Sequence, residues 1–327
     1  MIIETYFPSK KLTNTDLETI FPDWSASKIE DKIGIKERFV AEDNETALDL
    51  AFEASRKVLK QFDKDRIDFL LLCTQSPDYF LPTSACILQN RLGLKTSIGA
   101  FDFNLGCSGF IYGLALAKSL IKTGIASNVL LVTAETYSKY LNPNDRANRS
   151  IFGDAAAATI VNNSDVNNIF EFDLGTDGEG KDNLILINGG MRNKVETTYI
   201  EWEDEAGNLR SNNFLFMNGP EIFNFTIEKI PVVVNNVLLK NSITMNDIDY
   251  VIFHQANKYM LDYLRKKLKI PEEKFYNNML FTGNTVSSTI PIALKDCKDR
   301  SLILPGNKVL IVGFGVGYSW GGTILEI

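Results

Sequence analysis

Histidine is almost missing from this chain: there is one, His254, among 327 residues. A zinc site built from several imidazoles is therefore excluded. The four cysteines (Cys73, Cys86, Cys107, Cys297) have no CxxC spacing that could replace it, so no metal site is expected. Residues 1–8 contain neither a basic stretch nor a long apolar run, so no signal peptide, anchor or membrane insertion is expected. Without an export signal the thiols are expected to stay reduced, in the cytoplasm. Basic residues are not in excess: 34 Lys and Arg against 41 Asp and Glu leave a net charge of −7. That argues against general nucleic-acid binding, although a local basic patch for an acidic partner stays open. There is no Walker motif. The glycine-rich run 313–322 is followed by the strand-like 323–327 rather than by a helix, so it is no dinucleotide fingerprint.

What is present is ordinary for a folded protein: 45% hydrophobic and 23% charged residues, enough for one large domain or two of usual size. Short β-rich runs alternate with helical ones, which predicts α/β layers. The runs 68–73, 98–103, 128–133 and 155–161 read as strands; 85–92 and 109–122 read as helices. The second half echoes the first. Ile67-Asp68-Phe69-Leu70 resembles Ile248-Asp249-Tyr250-Val251, an offset of 181 (249 minus 68). Val129-Leu130-Leu131-Val132 resembles Val309-Leu310-Ile311-Val312, an offset of 180 (309 minus 129). Self-similarity at a fixed offset predicts a duplicated architecture, divided here as 1–165 and 166–327. Two polar, aperiodic stretches, 138–150 and 175–213, interrupt it, and such excursions often cover a site.

Cys107 lies in Asn104-Leu105-Gly106-Cys107-Ser108-Gly109-Phe110, between a strand and a helix. Glycines on both sides permit a tight turn, and a thiol at a helix N-terminus is expected to have a lowered pKa. The other three cysteines read as ordinary small apolar residues. His254 leaves the end of the strand 250–253, where open α/β sheets place their sites. Asn284, in Thr282-Gly283-Asn284-Thr285, precedes a helix at 289–295 and lies 177 residues after Cys107 (284 minus 107). It therefore occupies in the second half the place of Cys107 in the first. The glycines of 313–322 can offer backbone N–H groups to an oxyanion.

Together these motifs resemble the β-ketoacyl-acyl-carrier-protein synthase III family, from Gly34-Ile35-Lys36-Glu37-Arg38 to Ser319-Trp320-Gly321. The resemblance implies a thiolase-like five-layered α-β-α-β-α fold of two duplicated halves, usually a homodimer. It implies that Cys107 carries the starter acyl group and that His254 and Asn284 stabilise the enolate as malonyl thioester loses CO2. The backbone N–H groups of Cys107 and Val316 would hold the oxyanion. No cofactor is implied beyond the substrates, acyl-CoA or acyl carrier protein thioesters. A second catalytic His, as in chain-elongating relatives, is absent.

Further roles follow residue by residue from the same resemblance. Phe152 and Phe314 match pocket positions, and Leu81 stands where the partner subunit often contributes a Phe. Arg146 matches an arginine beside the CoA adenine, and Lys32 replaces a phosphate-binding arginine. Asn257 is assigned to pantetheine. The aromatic partner of that adenine is missing from its usual register, which holds Lys28, with Trp24 further upstream. Gln255, Lys258, Lys266 and Lys267 are assigned to carrier-protein docking, while Asn224 and Tyr259 replace basic residues there. Two other readings compete: acyl transfer from Cys107 to an oxygen or nitrogen acceptor, and a catalytically silent partner subunit.

Overall fold

A computed structural model describes residues 1–205 and 207–327. Its strands gather into two main sheets. The first orders Ile2–Tyr6, Ala155–Asn162, Asn128–Glu135, Phe69–Cys73 and Gly99–Phe103. Phe69–Cys73 runs parallel to both neighbours, and Ala155–Asn162 antiparallel to both of its own. The second orders Tyr250–Phe253, Lys308–Gly315, Ser319–Glu326 and Asp173–Thr176, one parallel pair followed by two antiparallel ones. Strand directions correspond one for one with the first four places of the other sheet. The offset near 180 in sequence is thus an echo of topology. Gly99–Phe103 has no full counterpart; its place in the second half holds a single parallel bridge, Val251 to Phe275.

Strand alternation divides the apolar residues among three layers of helix. Leu70 and Leu72 face outward onto Leu50, Ala54 and Val58 of the Ala47–Val58 helix and Leu88 of Ser84–Leu92. Leu71 faces inward with Phe110, Ile111 and Leu114 of Gly109–Lys122 and Ile290 and Leu294 of Thr289–Asp299. Ile252 and Ile311 close that central layer from the second sheet. Val251, Phe253 and Leu310 point the other way, onto Val233 and Val237 of Gly219–Lys240 and Leu261 of Lys258–Lys267. The result is the five-layered α-β-α-β-α sandwich the sequence implied. Gly219–Lys240 is long and apolar enough to cross a membrane by length and composition, but its apolar face is what covers the second sheet.

Candidate active site

The two central helices bring their N-termini to the seam between the halves. Cys107 sits just ahead of Gly109–Lys122, in a turn with no spare volume. A Cβ at Gly109 would stand 2.3 Å from the Cys73 sulfur, and one at Gly106 2.6 Å from Gln75 Oε1. The other half presses from behind: a Cβ at Gly315 would lie 2.9 Å from Cys107 Sγ, and one at Gly313 2.8 Å from the Cys107 carbonyl oxygen. Glycine is required at these four places by close approach. Val316, one residue beyond Gly315, packs its side chain against Gly106.

His254 donates its backbone N–H to Val312 O at 2.8 Å. Its ring is buried, with Nδ1 2.8 Å from Thr289 Oγ1 and Phe314 standing edge-on at 5.5 Å between centroids. Burial pushes the imidazole down to about 3, so the ring is neutral at physiological pH.

Asn284 is tied across the seam. Its N–H donates to Ile151 O at 2.9 Å, and its C=O accepts from Gly153 N–H at 3.0 Å. The Asn284 Oδ1 accepts from Val286 N–H at 2.9 Å, which turns the amide NH2 toward the cavity. Gly283 supplies the left-handed backbone (φ 67), where a Cβ would meet Ile151 O at 2.9 Å. Val286 holds a φ of 55, rare for a β-branched residue. Such strain costs on the order of 1–3 kcal/mol and concentrates at functional sites.

Cys107, His254 and Asn284 all line one narrow cavity of about 50 Å³, together with Phe152, Leu184, Met217 and Phe314. A wider cavity of about 690 Å³, the mouth, shares Ile151 and Asn257 with it. The mouth carries Lys32 and Lys258 opposed by Asp31 and Asp262.

The thiol departs from expectation. Burial pushes Cys107 up to about 12, the nearby Glu135 carboxylate adds to this, and its own backbone N–H opposes it. Glu135 is itself buried and pushed up to about 8, so near neutral pH it is largely protonated and desolvation dominates. Burial therefore outweighs the backbone N–H that would favour a thiolate at this helix N-terminus. The thiol form of Cys107 is thus favoured near neutral pH.

Among the other expected residues, Phe152 and Phe314 do line the cavity. Gln255 does not belong to a docking surface. It is buried, donates to Phe253 O at 2.8 Å and accepts from Asn278 N–H at 3.1 Å, so it braces the loop after His254. Lys258 and Lys266 are exposed on Lys258–Lys267; Lys267 is exposed too, with its Nζ on Ile227 O at 2.7 Å. Asn257 caps that helix through Met260 N–H and lines both cavities. Leu81 is 82% exposed and absent from this chain's own cavity wall.

Trp24 corrects the register argument. Although out of step in sequence, its ring lies 5.8 Å from the Arg146 guanidinium and 5.2 Å from Lys32 Nζ, with Nε1 on Ser150 Oγ. The Ala26–Ile33 helix carries Lys32 back beside it. Two buried polar residues escaped the sequence reading. Glu135 accepts from Gln75 N–H, Ser76 Oγ and Ser287 Oγ, behind Cys107. Its signal was a carboxylate closing a strand with no other charge. Thr289 was taken only as the start of a helix.

A family model described as 3-oxoacyl-[acyl-carrier-protein (ACP)] synthase III matches residues 101–178, and one described as its C-terminal part matches 238–327. The β-ketoacyl-[acyl-carrier-protein] synthase III of Clostridium perfringens is 37% identical over 325 residues, 98% of this chain and 97% of its own. A crystal structure of a 3-oxoacyl-(acyl-carrier-protein) synthase III superposes with a TM-score of 0.97 at 47% identity, covering 100% of this chain and 98% of that one. The synthase III of Thermus thermophilus gives a TM-score of 0.86 at 34% identity, covering 99% and 98%.

Proposed function

The chain belongs to the β-ketoacyl-[acyl-carrier-protein] synthase III family, and from that premise we propose how its own residues divide the reaction. The enzyme condenses a starter acyl group with malonyl-acyl carrier protein, releasing CO2 and forming a β-ketoacyl thioester, the first condensation of fatty acid synthesis. The observation that carries the assignment of roles is one buried cavity lined by a thiol at a helix N-terminus, a neutral imidazole and a fixed amide.

Cys107 attacks the starter thioester and keeps the acyl group; the departing thiolate takes up the proton. To the backbone N–H groups of Cys107 and Val316 we assign the tetrahedral oxyanion. Malonyl carrier then enters, His254 and Asn284 donate to its thioester carbonyl, and the C–CO2 bond breaks into an enolate. The enolate carbon attacks the acyl-Cys107, and the cysteine leaves as the β-ketoacyl chain forms. Loss of CO2 generates the carbanion, so this reading needs no metal or organic cofactor.

For the starter's carrier we assign CoA to the mouth. An indole with two cations beside it suits a purine with phosphates; Trp24 and Arg146 stand next to Lys32, which lines the mouth together with Asn257, assigned to the pantetheine arm. Carrier protein is assigned to the exposed Lys258, Lys266 and Lys267. A second copy of this chain is assigned to the Gly99–Phe103 edge. There Asp102 accepts from Ser84 and Ala85 N–H and anchors the segment that exposes Tyr79, Phe80 and Leu81. An open strand edge beside such apolar residues is a surface natural proteins cover. Leu81 would then reach the acyl pocket of the partner copy. The four unbridged cysteines support a reducing, cytoplasmic setting.

Intact-mass measurement with a panel of acyl-CoAs, followed by malonyl carrier with CO2 detection, tests this. One acyl group should load on Cys107, and CO2 should appear only with the extender. Acyl loading without CO2 release in the presence of malonyl carrier would reject the condensing role.

A further inference from the structure

His254 can serve the enolate only if the nitrogen facing the cavity carries a hydrogen. The partner the structure places on its Nδ1 is Thr289 Oγ1, at 2.8 Å. Thr289 is buried at the start of the Thr289–Asp299 helix. Its hydroxyl has one hydrogen and two acceptors within reach: Nδ1, and the Val286 carbonyl at 3.1 Å. That carbonyl already accepts the Thr289 backbone N–H, and the contact with Nδ1 is the shorter of the hydroxyl's two. If the hydroxyl hydrogen went to the carbonyl, Nδ1 would have to carry the ring hydrogen and donate it to Oγ1, and the nitrogen facing the cavity would have none to offer the enolate.

We propose that the Thr289 hydroxyl donates to Nδ1 and so fixes His254 as the tautomer with hydrogen on Nε2. Thr289 does not touch substrate; it is a positioning residue. The same segment sets both donors of the site. Val286 N–H turns the Asn284 amide so that its NH2 faces inward, and Thr289 O–H sets the His254 ring so that Nε2–H does. The strained backbone at Val286 is where the chain bends to do both. The extender's carbonyl oxygen then meets two neutral N–H donors, and neither has to ionise while negative charge builds on it. The burial that keeps the ring uncharged gives the hydroxyl control of the only proton it carries. This assignment rests on the condensing role above, which needs a hydrogen on the nitrogen facing the cavity.

His254 is the only histidine, so nitrogen-15 labelling of histidine gives the signals of one ring in the intact protein. In the wild type, Nε2 should read as the protonated nitrogen and Nδ1 as a hydrogen-bonded lone pair, unchanged over the neutral range. Thr289→Val keeps the shape and removes the hydroxyl. It should abolish the single-tautomer pattern and slow CO2 release from malonyl carrier by about 10–100-fold, less than the roughly 10²–10³-fold typical of losing an oxyanion donor outright. Acyl loading of Cys107 should stay within about twofold of wild type, because an uncharged ring on either tautomer leaves the thiol's surroundings alike. Thr289→Ser should restore both the pattern and the rate. A wild-type ring protonated on Nδ1 would overturn the proposal whether or not any variant folds. So would a Thr289→Val enzyme with wild-type CO2 release. A wild type with Nε2–H that releases no CO2 would instead reject the condensing role and leave the tautomer assignment standing.

Discussion

The Cys107 turn and the Asn284 turn occupy equivalent places in the two halves, each ahead of a central helix, yet they are held in opposite ways. The first is held by lack of room: Gly106, Gly109, Gly313 and Gly315 let backbone and sulfur approach to distances no Cβ would survive. The second is held by hydrogen bonds and strain. Asn284 bonds to both Ile151 and Gly153, and Val286 is locked at positive φ with its N–H on Asn284. A nucleophile must form and break a bond, so it needs an exact place and a free sulfur. Donors to an enolate need fixed orientation instead. Duplication supplied two locations, and the chemistry of each was set by what packs around it.

The comparison breaks most severely at the first turn. Cys107→Ser should remove the acyl adduct and lower overall turnover by about 10⁴-fold or more, as loss of a nucleophile does. Intact mass and product formation report both, and an adduct persisting on another cysteine would reject the assignment.

Damage to the second turn should look different. His254→Ala or Asn284→Ala removes one donor to developing charge, typically about 10²–10³-fold. That loss should fall on CO2 release while acyl loading of Cys107 largely survives. Equal losses in both half-reactions would erase the proposed division between the turns.

A smaller effect tests the steric hold. Gly315→Ala places a methyl 2.9 Å from Cys107 Sγ. It should destabilise the fold by about 1–3 kcal/mol and slow acyl loading, as overpacking does. Denaturant unfolding with single-turnover loading measures the pair, and a neutral result would mean the turn can relax.

The electrostatic contrast can be read from acid stability. The His254 ring, depressed to about 3 in the fold, is neutral there, whereas unfolded chains take up a proton below the ordinary imidazole value of 6.5. Its contribution is therefore present above 6.5 and is lost as pH falls toward 3. At about pH 5 the loss is roughly 2 kcal/mol, and His254→Gln should lack that part of the acid sensitivity. Urea midpoints of both proteins at the two pH values decide it.

The mildest change lies outside both turns. Lys266→Glu with Lys267→Glu should raise KM for malonyl carrier by about 3–10-fold at low salt, with little change for malonyl-CoA, since rim charges act mainly on association. Equal losses with both extenders would point to a folding defect.

How much of this was legible varies by residue. Strands such as Asn128–Glu135 and the helix Gly109–Lys122 could be read because burial on both faces leaves an unbroken apolar run. Gln255 looked like a docking residue because it follows His254, but its side chain turns inward to Phe253 O, and no local pattern states that. Trp24 looked out of register because linear spacing ignores how the Ala26–Ile33 helix folds back on it. Glu135 was marked only as the one charge closing an apolar strand, and Thr289 sat in a segment whose periodicity was already explained, so nothing marked it.

By itself, the sequence determined which atoms are available: one imidazole, one cysteine between glycines, one asparagine at the matching place in the repeat, and the alternation that buries two sheets around two helices. These follow from local periodicity and steric preference, which act between neighbours in the chain. Only the tertiary structure decided their states. Whether Cys107 is a thiol, whether His254 is charged, and which nitrogen faces the cavity depend on desolvation and on partners distant in the chain, such as Glu135 for Cys107 and Thr289 for His254. Both are properties of packed volume, which exists only once the halves have closed on each other.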